Sequence, residues 1–170
     1  EGKLELPNED EERRMYWYVK NFLELKGYNH YEISNFSKKG KESKHNLDCW
    51  NQKEYIGFGV AAHSYINGVR YSNTEKIEQY IENMKKIQNN KKAIYKIHEK
   101  QTIEDKQKEY MLLGLRKIKG VSIKKFKEKF IENPIFLFRK ELESLIKEKL
   151  LEIDGDKIRL TNKGLDFANQ

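Results

Sequence analysis

The spacing of apolar and polar positions divides the chain into stretches with two different periods. In "LPNEDEERRMYWYVKNFLELKGY", Met15, Tyr18, Val19, Phe22 and Leu23 recur along one helical face. Asn8 and Glu11 make a capping box ahead of them, and Gly27 supplies a stop. The pattern predicts an amphipathic helix that ends before Gly27. "HYEISNF" then alternates, which puts Tyr31 and Ile33 on one face of a strand and Glu32 and Ser34 on the other, before the basic loop "SKKGKESK" interrupts it.

After Trp50, "YIGFGVAAHSYI" is apolar, short and broken by glycine, the pattern of a strand buried on both faces, and Asn67-Gly68 is a hairpin turn into "VRYSN". Ile77, Tyr80, Ile81, Met84 and Ile87 mark another helix. Residues 28–36 and 55–73 are expected to form one small sheet under the helices of residues 9–26 and 75–88, or to pair across a symmetric dimer. "NNKKAIYKIHEKQT" is polar and weakly periodic and predicts a linker near residues 89–102. Beyond it, residues 104–119 read as a helix, Ser122 caps a second carrying Ile123, Phe126 and Phe130, and Phe138, Leu142, Leu145 and Ile146 mark a third. "LLEIDGDKIRLT" gives two short strands around Asp154-Gly155, followed by a helical stretch from Thr161. Three helices and a hairpin make a winged-helix arrangement, so the class is α+β.

Composition narrows the function. With 170 residues, 36% of them charged and 37% hydrophobic, the chain can bury one substantial core or two small ones. No apolar run approaches the roughly 20 residues of a membrane helix, and the acidic start lacks the basic and apolar regions of a signal peptide. Cys49 is the only cysteine, which leaves no internal disulfide and fits a reducing compartment, so a cytoplasmic protein is expected. The net charge of +7 does not make nucleic acid the expected partner, because only six of the 34 basic residues are arginine. The third helix of the C-terminal part, "FRKELESLIKEKL", also carries Glu141, Glu143 and Glu148, which would repel phosphate.

Candidate chemistry gathers in "KHNLDCWNQKEYIGFGVAAHSYINGVRYSN", residues 44–73, which holds two of the four histidines and the cysteine. His45, Cys49 and His63 could supply zinc, but a structural site takes four ligands at tight paired spacings. Cys49 reads either as a nucleophile or as a small buried hydrophobe. "GFGVAAHS" lacks the spacing and the lysine of a phosphate loop. Its glycines instead imply close approach of another backbone or of a flat ligand, as in one wall of a larger site.

The order of "YEISNF", "HNLDCW", "GFGVAAHS" and "MLLGLRKIKGV" resembles the oxygen-independent coproporphyrinogen III oxidase-like radical SAM family, in particular its HemW heme-chaperone branch. The resemblance implies that residues 1–95 are the C-terminal part of a partial (β/α) barrel and residues 103–170 a winged-helix-like domain. It also implies that the other barrel half lies upstream and that the chain continues beyond Gln170. In that family a cysteine triad holds a [4Fe-4S] cluster beside S-adenosylmethionine. One cysteine cannot do so, and the chain alone is not expected to perform radical chemistry. Carried over by motif, His45 becomes the candidate axial ligand of heme iron with Asn46 and Trp50 beside it, and Gly59, Ala61, Ala62 and His63 become part of a cofactor wall. A histidine that only hydrogen-bonds a loop is the alternative for His45, and barrel packing is the alternative for the wall. Cys49 departs from the family's usual tyrosine, and Val60-Ala61 from its usual Ala-Gly. The function implied is heme binding and transfer to an acceptor protein. Decarboxylation of coproporphyrinogen III by a longer enzyme is the alternative, and a DNA-binding winged helix is the third reading.

Overall fold

The computed structural model describes residues 6–89 and 95–168. Along the chain run α1 (Glu9–Leu25), β1 (Asn29–Glu32), β2 (Asn35–Ser37), α2 (Lys44–Trp50), β3 (His63–Ile66), β4 (Val69–Ser72), α3 (Ile77–Gln88), β5 (Lys96–Lys100) and α4 (Ile103–Leu115). They are followed by β6 (Val121–Ser122), α5 (Ile123–Phe130), α6 (Pro134–Leu137), α7 (Arg139–Lys147), β7 (Leu151–Asp154), β8 (Lys157–Leu160) and α8 (Asn162–Phe167). The strand pairings of the described residues are antiparallel. No helix among these residues is long and apolar enough to cross a membrane.

The chain forms two compact units, residues 1–50 with 111–170 and residues 51–110. This partition follows packing, whereas the sequence division at 95 and 103 follows a family resemblance.

In the first unit, local signals set the helix ends. Asn8 accepts from the Glu11 amide while Glu11 accepts from the Asn8 amide, which closes the expected capping box on α1. Ser122 caps α5 and Thr161 caps α8. A three-stranded sheet of order β6-β8-β7 packs with these helices, and β7 turns into β8 at Gly155 and Asp156. Its core is Val121, Phe126, Leu142, Leu151, Ile158 and Leu165. The Asp156 carboxylate accepts from Ser122 Oγ and from the Lys124 amide, tying the hairpin to the start of α5.

Three sequence expectations are corrected in this unit. The strand over "HYEISNF" is a tight hairpin, β1–β2, and Glu32, assigned to the polar face, is wholly buried. The helix expected over 104–119 stops at Leu115, because Lys117 bridges Glu32 and the Ile118 amide bonds the Tyr31 carbonyl. The apolar stripe of α1 is mostly exposed, with Tyr18 at 71% and Met15 at 51%. The helix is anchored from another side, where Tyr16 Oη donates to the Ile33 carbonyl and Trp17 Nε1 to Asp166.

The second unit holds the sheet β3-β4-β5 with the expected Asn67-Gly68 hairpin, both turn residues having positive φ. Residues 28–36 and 55–73 therefore do not share one sheet. Where a linker was expected, Lys96–Lys100 forms β5, and residues 90–94 of that expectation lie outside the described residues. Tyr65 and Tyr110 are its buried apolar residues among those described, and a polar network supplements them. Arg70 lies over the Tyr65 ring and bonds Glu99 at 2.9 Å and Glu109 at 2.7 Å, while Gln52 and Gln101 each donate to Glu109 at 2.9 Å.

Burial pushes the Glu109 carboxyl pKa up, but the hydrogen bonds from Gln52, Gln101 and Arg70 together outweigh it and hold the pKa below its ordinary value. The stabilisation is complete above the unfolded pKa of about 4.3 and is lost as pH falls through the folded one. Urea denaturation followed by far-UV circular dichroism between pH 3 and 7 should therefore show a steeper acid loss in wild type than in Glu109→Gln. Equal pH slopes in the two chains would refute this.

Candidate functional site

In the first unit, three separated motifs meet. Glu32 of the β1–β2 hairpin uses Oε1 to accept from the Ser34 amide at 3.2 Å and from Asn35 Nδ2, so it braces its own turn. Its Oε2 faces Arg116 at 4.0 Å. The Arg116 guanidinium lies over the Trp50 ring at 4.5 Å, and its backbone carbonyl accepts from the Ile33 amide. Residues 31–36, 45–50 and 113–120 are thus joined by side chains of the motifs themselves. Glu32 Oε2, Arg116 Nε and Trp50 Nε1 are buried with no hydrogen-bond partner among the described residues. Leaving buried polar atoms without such a partner is costly.

Trp50 closes α2, and Ser43 opens it by accepting from the Asn46 amide at 3.3 Å. Between these ends His45 is exposed, and its Nε2 lies 3.8 Å from Cys49 Sγ one turn on. The helix therefore presents an imidazole and a thiol side by side, with an anchored tryptophan at its end. Below α2 an open cavity of about 790 Å³ is lined by Tyr28, His30, Tyr31, Leu47, Lys117 and Ile118 among others. Burial, helped by Lys157 and Lys125, pushes the Lys117 ammonium pKa down to about 8. His45 is not among the residues lining this cavity.

The glycine stretch of the second unit is a loop, which corrects the expectation of a strand buried on both faces. Gly59 has φ +107° and Ala61 φ +59°, and neither angle continues a strand. Ile56, Phe58 and Val60 are exposed, Phe58 at 86%. Asn73 Nδ2 donates to the carbonyls of Gly57 and Gly59, Ser64 Oγ accepts from the Gly57 amide at 3.0 Å, and Tyr80 Oη accepts from the Gly59 amide at 3.0 Å. The loop is thus pinned from β3, α3 and the residue after β4.

Ala61 sits where an L side chain is strained by about 1–2 kcal/mol. Ala61→Gly should accordingly raise stability by about 1 kcal/mol, measured as a shift of the urea midpoint. A lower midpoint would show that the strain is not there.

The structure thus places His45, Asn46 and Trp50 in the first unit and Gly59, Ala61, Ala62 and His63 in the second. Among the described residues no three His, Cys, Asp or Glu side chains are grouped to hold a metal. Sequence reading missed Glu32 and Arg116, although Arg116 lies in a quoted motif and is one of only six arginines.

Comparison with known proteins bears on what these motifs are for. Residues 101–167 match the HemN C-terminal domain family. The chain is 39% identical, over 99% of its length, to the heme chaperone HemW of Lactococcus lactis, and covers 43% of that protein. It is 38% identical, again over 99% of its length, to the heme chaperone HemW of Bacillus subtilis, and covers 44% of it. Residues 101–167 thus match a HemN C-terminal domain, and the chain as a whole is similar to part of these HemW heme chaperones. Its fold is also similar to that of the radical SAM enzyme coproporphyrinogen III oxidase (HemN) of Escherichia coli, with a TM-score of 0.68 and 17% identity over 96% of this chain and 40% of that one. The chain thus spans less than half the length of each of these three relatives.

Proposed function

We propose that this chain is the heme-binding portion of a HemW-type heme chaperone, with His45 as the axial ligand and Asn46 and Trp50 beside it. The observation that carries the reading is α2, an anchored helix with an exposed imidazole. The two HemW chaperones, similar over nearly the whole chain, support it. The residues suit heme iron, since an accessible imidazole on a fixed element is a common axial ligand. Bound heme would supply an iron with an exchangeable position, and this chain's part is to hold and orient it for transfer to an acceptor protein. Cys49 alone cannot hold a [4Fe-4S] cluster, and no step through one is assigned to these residues.

Residues 1–95 are read as the end of a radical SAM barrel region and residues 103–170 as a winged-helix-like domain. The helices α4, α5 and α7 with the sheet β6-β8-β7 support the second assignment. The first rests on family resemblance, since β1–β2 and β3-β4-β5 are antiparallel. Nothing in α7 favours DNA, because its Arg139 is held by Glu143 at 2.7 Å.

Titration with heme, followed at the Soret band, tests the reading. His45→Ala should weaken binding by about tenfold or more, roughly 1.4 kcal/mol, and change the spectrum. Cys49→Ser separates imidazole from thiolate ligation, and an unchanged spectrum in that variant assigns the iron to His45. Identical affinity and spectrum in wild type and His45→Ala would remove His45 from the site.

A further inference from the structure

The cavity below α2 lies wholly within the first unit, and its walls come from three separate segments. β1 and the residue before it supply Tyr28, His30 and Tyr31, α2 supplies Leu47, and the stretch between α4 and β6 supplies Lys117 and Ile118. Two of the rings are held in place. Lys38 Nζ lies 4.2 Å over the Tyr28 ring, and His30 stacks on Phe36 with centroids 4.5 Å apart. Two acidic side chains also line the cavity, but each has a partner of its own. Glu24 Oε2 is 3.0 Å from Lys20 Nζ, and Glu42 Oε1 accepts from the Gly40 amide at 3.3 Å. Burial raises the cost of the Lys117 ammonium, and the charges of Lys157 on β8 and Lys125 on α5 add to it. An anion seated beside Lys117 would lower that cost.

We propose that this cavity binds a small aromatic carboxylate, with its ring against Tyr28, His30 and Tyr31 and its carboxylate on the Lys117 ammonium. The volume of about 790 Å³ is that of a small-molecule site, and apolar walls with a few polar groups are the usual lining of one. Fixed rings offer a stacking surface that an aliphatic chain would use less well. His30 presents no nitrogen to an iron, because its Nε2 lies 3.1 Å from the Ile33 carbonyl oxygen and its Nδ1 is buried. The ring bound there is therefore metal-free. Leu47, which lines the cavity, stands two positions from His45 on α2, about 200° round the helix. The site is thus separate from the axial ligand proposed for heme and independent of it.

Titration of the chain with cinnamate, followed by NMR, tests the site. Binding should saturate, with the largest shifts at the amides of Tyr28, Tyr31, Leu47 and Ile118. The neutral cinnamyl alcohol should bind about tenfold more weakly, and octanoate, which keeps the carboxylate but has no ring, should also bind more weakly than cinnamate. Lys117→Gln should cost about tenfold in cinnamate affinity and leave that for cinnamyl alcohol as it was, whereas Lys117→Arg should retain most of the binding. Lys147→Gln, at an exposed position of α7, removes a charge elsewhere and should change neither affinity. Far-UV circular dichroism checks that the variants fold, and the comparison of acid with alcohol on the unaltered chain needs no variant. No saturable binding, equal affinity for cinnamate and cinnamyl alcohol, tighter binding of octanoate, wild-type cinnamate affinity in Lys117→Gln, or shifts centred on the exposed Met15 and Tyr18 of α1 would each overturn the proposal.

Discussion

Phe126→Ala is expected to destabilise the first unit by about 3–5 kcal/mol. Phe126 is fully buried on α5, with its ring 4.7 Å from Phe130 and 6.2 Å from Phe138. Truncation removes apolar surface from the core and leaves a void that the surrounding backbone cannot close. A loss of that size is a large fraction of the 5–15 kcal/mol typical of a folded domain, so the unit should be substantially unfolded under mild denaturant. Urea titration followed by far-UV circular dichroism measures it, with Phe126→Leu as the control that keeps most of the apolar volume and should cost about 1.5 kcal/mol or less. Equal midpoints for Phe126→Ala and wild type would mean that this ring is not the centre of the core.

The second large effect is expected at Gly57. A Cβ there would lie 2.2 Å from the His63 carbonyl oxygen and within 3.0 Å of the His63 and Ala62 carbonyl carbons. Those atoms are backbone and cannot rotate away as a side-chain tip would. Gly57→Ala must push the loop off β3, which strains the bonds from Asn73 to the Gly57 and Gly59 carbonyls and the Tyr55–Tyr65 bridge. A loss of about 3 kcal/mol should follow, with faster amide exchange at Tyr55, Gly57 and Tyr65. Unchanged protection at these three amides would contradict the packing described for the loop.

What the sequence revealed and what it concealed divide along the range of the interactions. The Asn8–Glu11 box, the Ser122 and Thr161 caps, and the turns at Asn67-Gly68 and Gly155-Asp156 depend on residues within a few positions, so their signatures are legible. Glu32 was misplaced because its environment is supplied by Arg116, far along the chain, and because its carboxylate bonds its own turn. The loop at 57–62 looked like a strand because apolarity reports burial and says nothing of the φ angles at Gly59 and Ala61. β5 escaped notice because Lys96, Ile97 and His98 are all exposed, which leaves no alternation to read. Of the candidate site, His45 and Trp50 were legible as motif members, whereas the Glu32–Arg116 bracing that holds their helix is a tertiary contact.

The two tryptophans, Trp17 and Trp50, both lie in the first unit, one bonded to Asp166 and the other under Arg116. Residues 51–110 contain tyrosine but no tryptophan. Emission excited at 295 nm is therefore silent about the second unit, and an unfolding curve recorded that way describes only the first. The same placement makes Trp50 a built-in optical probe for α2. It sits five residues from His45 on one short helix, well inside the range over which a porphyrin accepts excitation energy from an indole. Heme held at His45 would darken Trp50, whereas a ligand bound within the second unit would have no tryptophan in its own unit to quench.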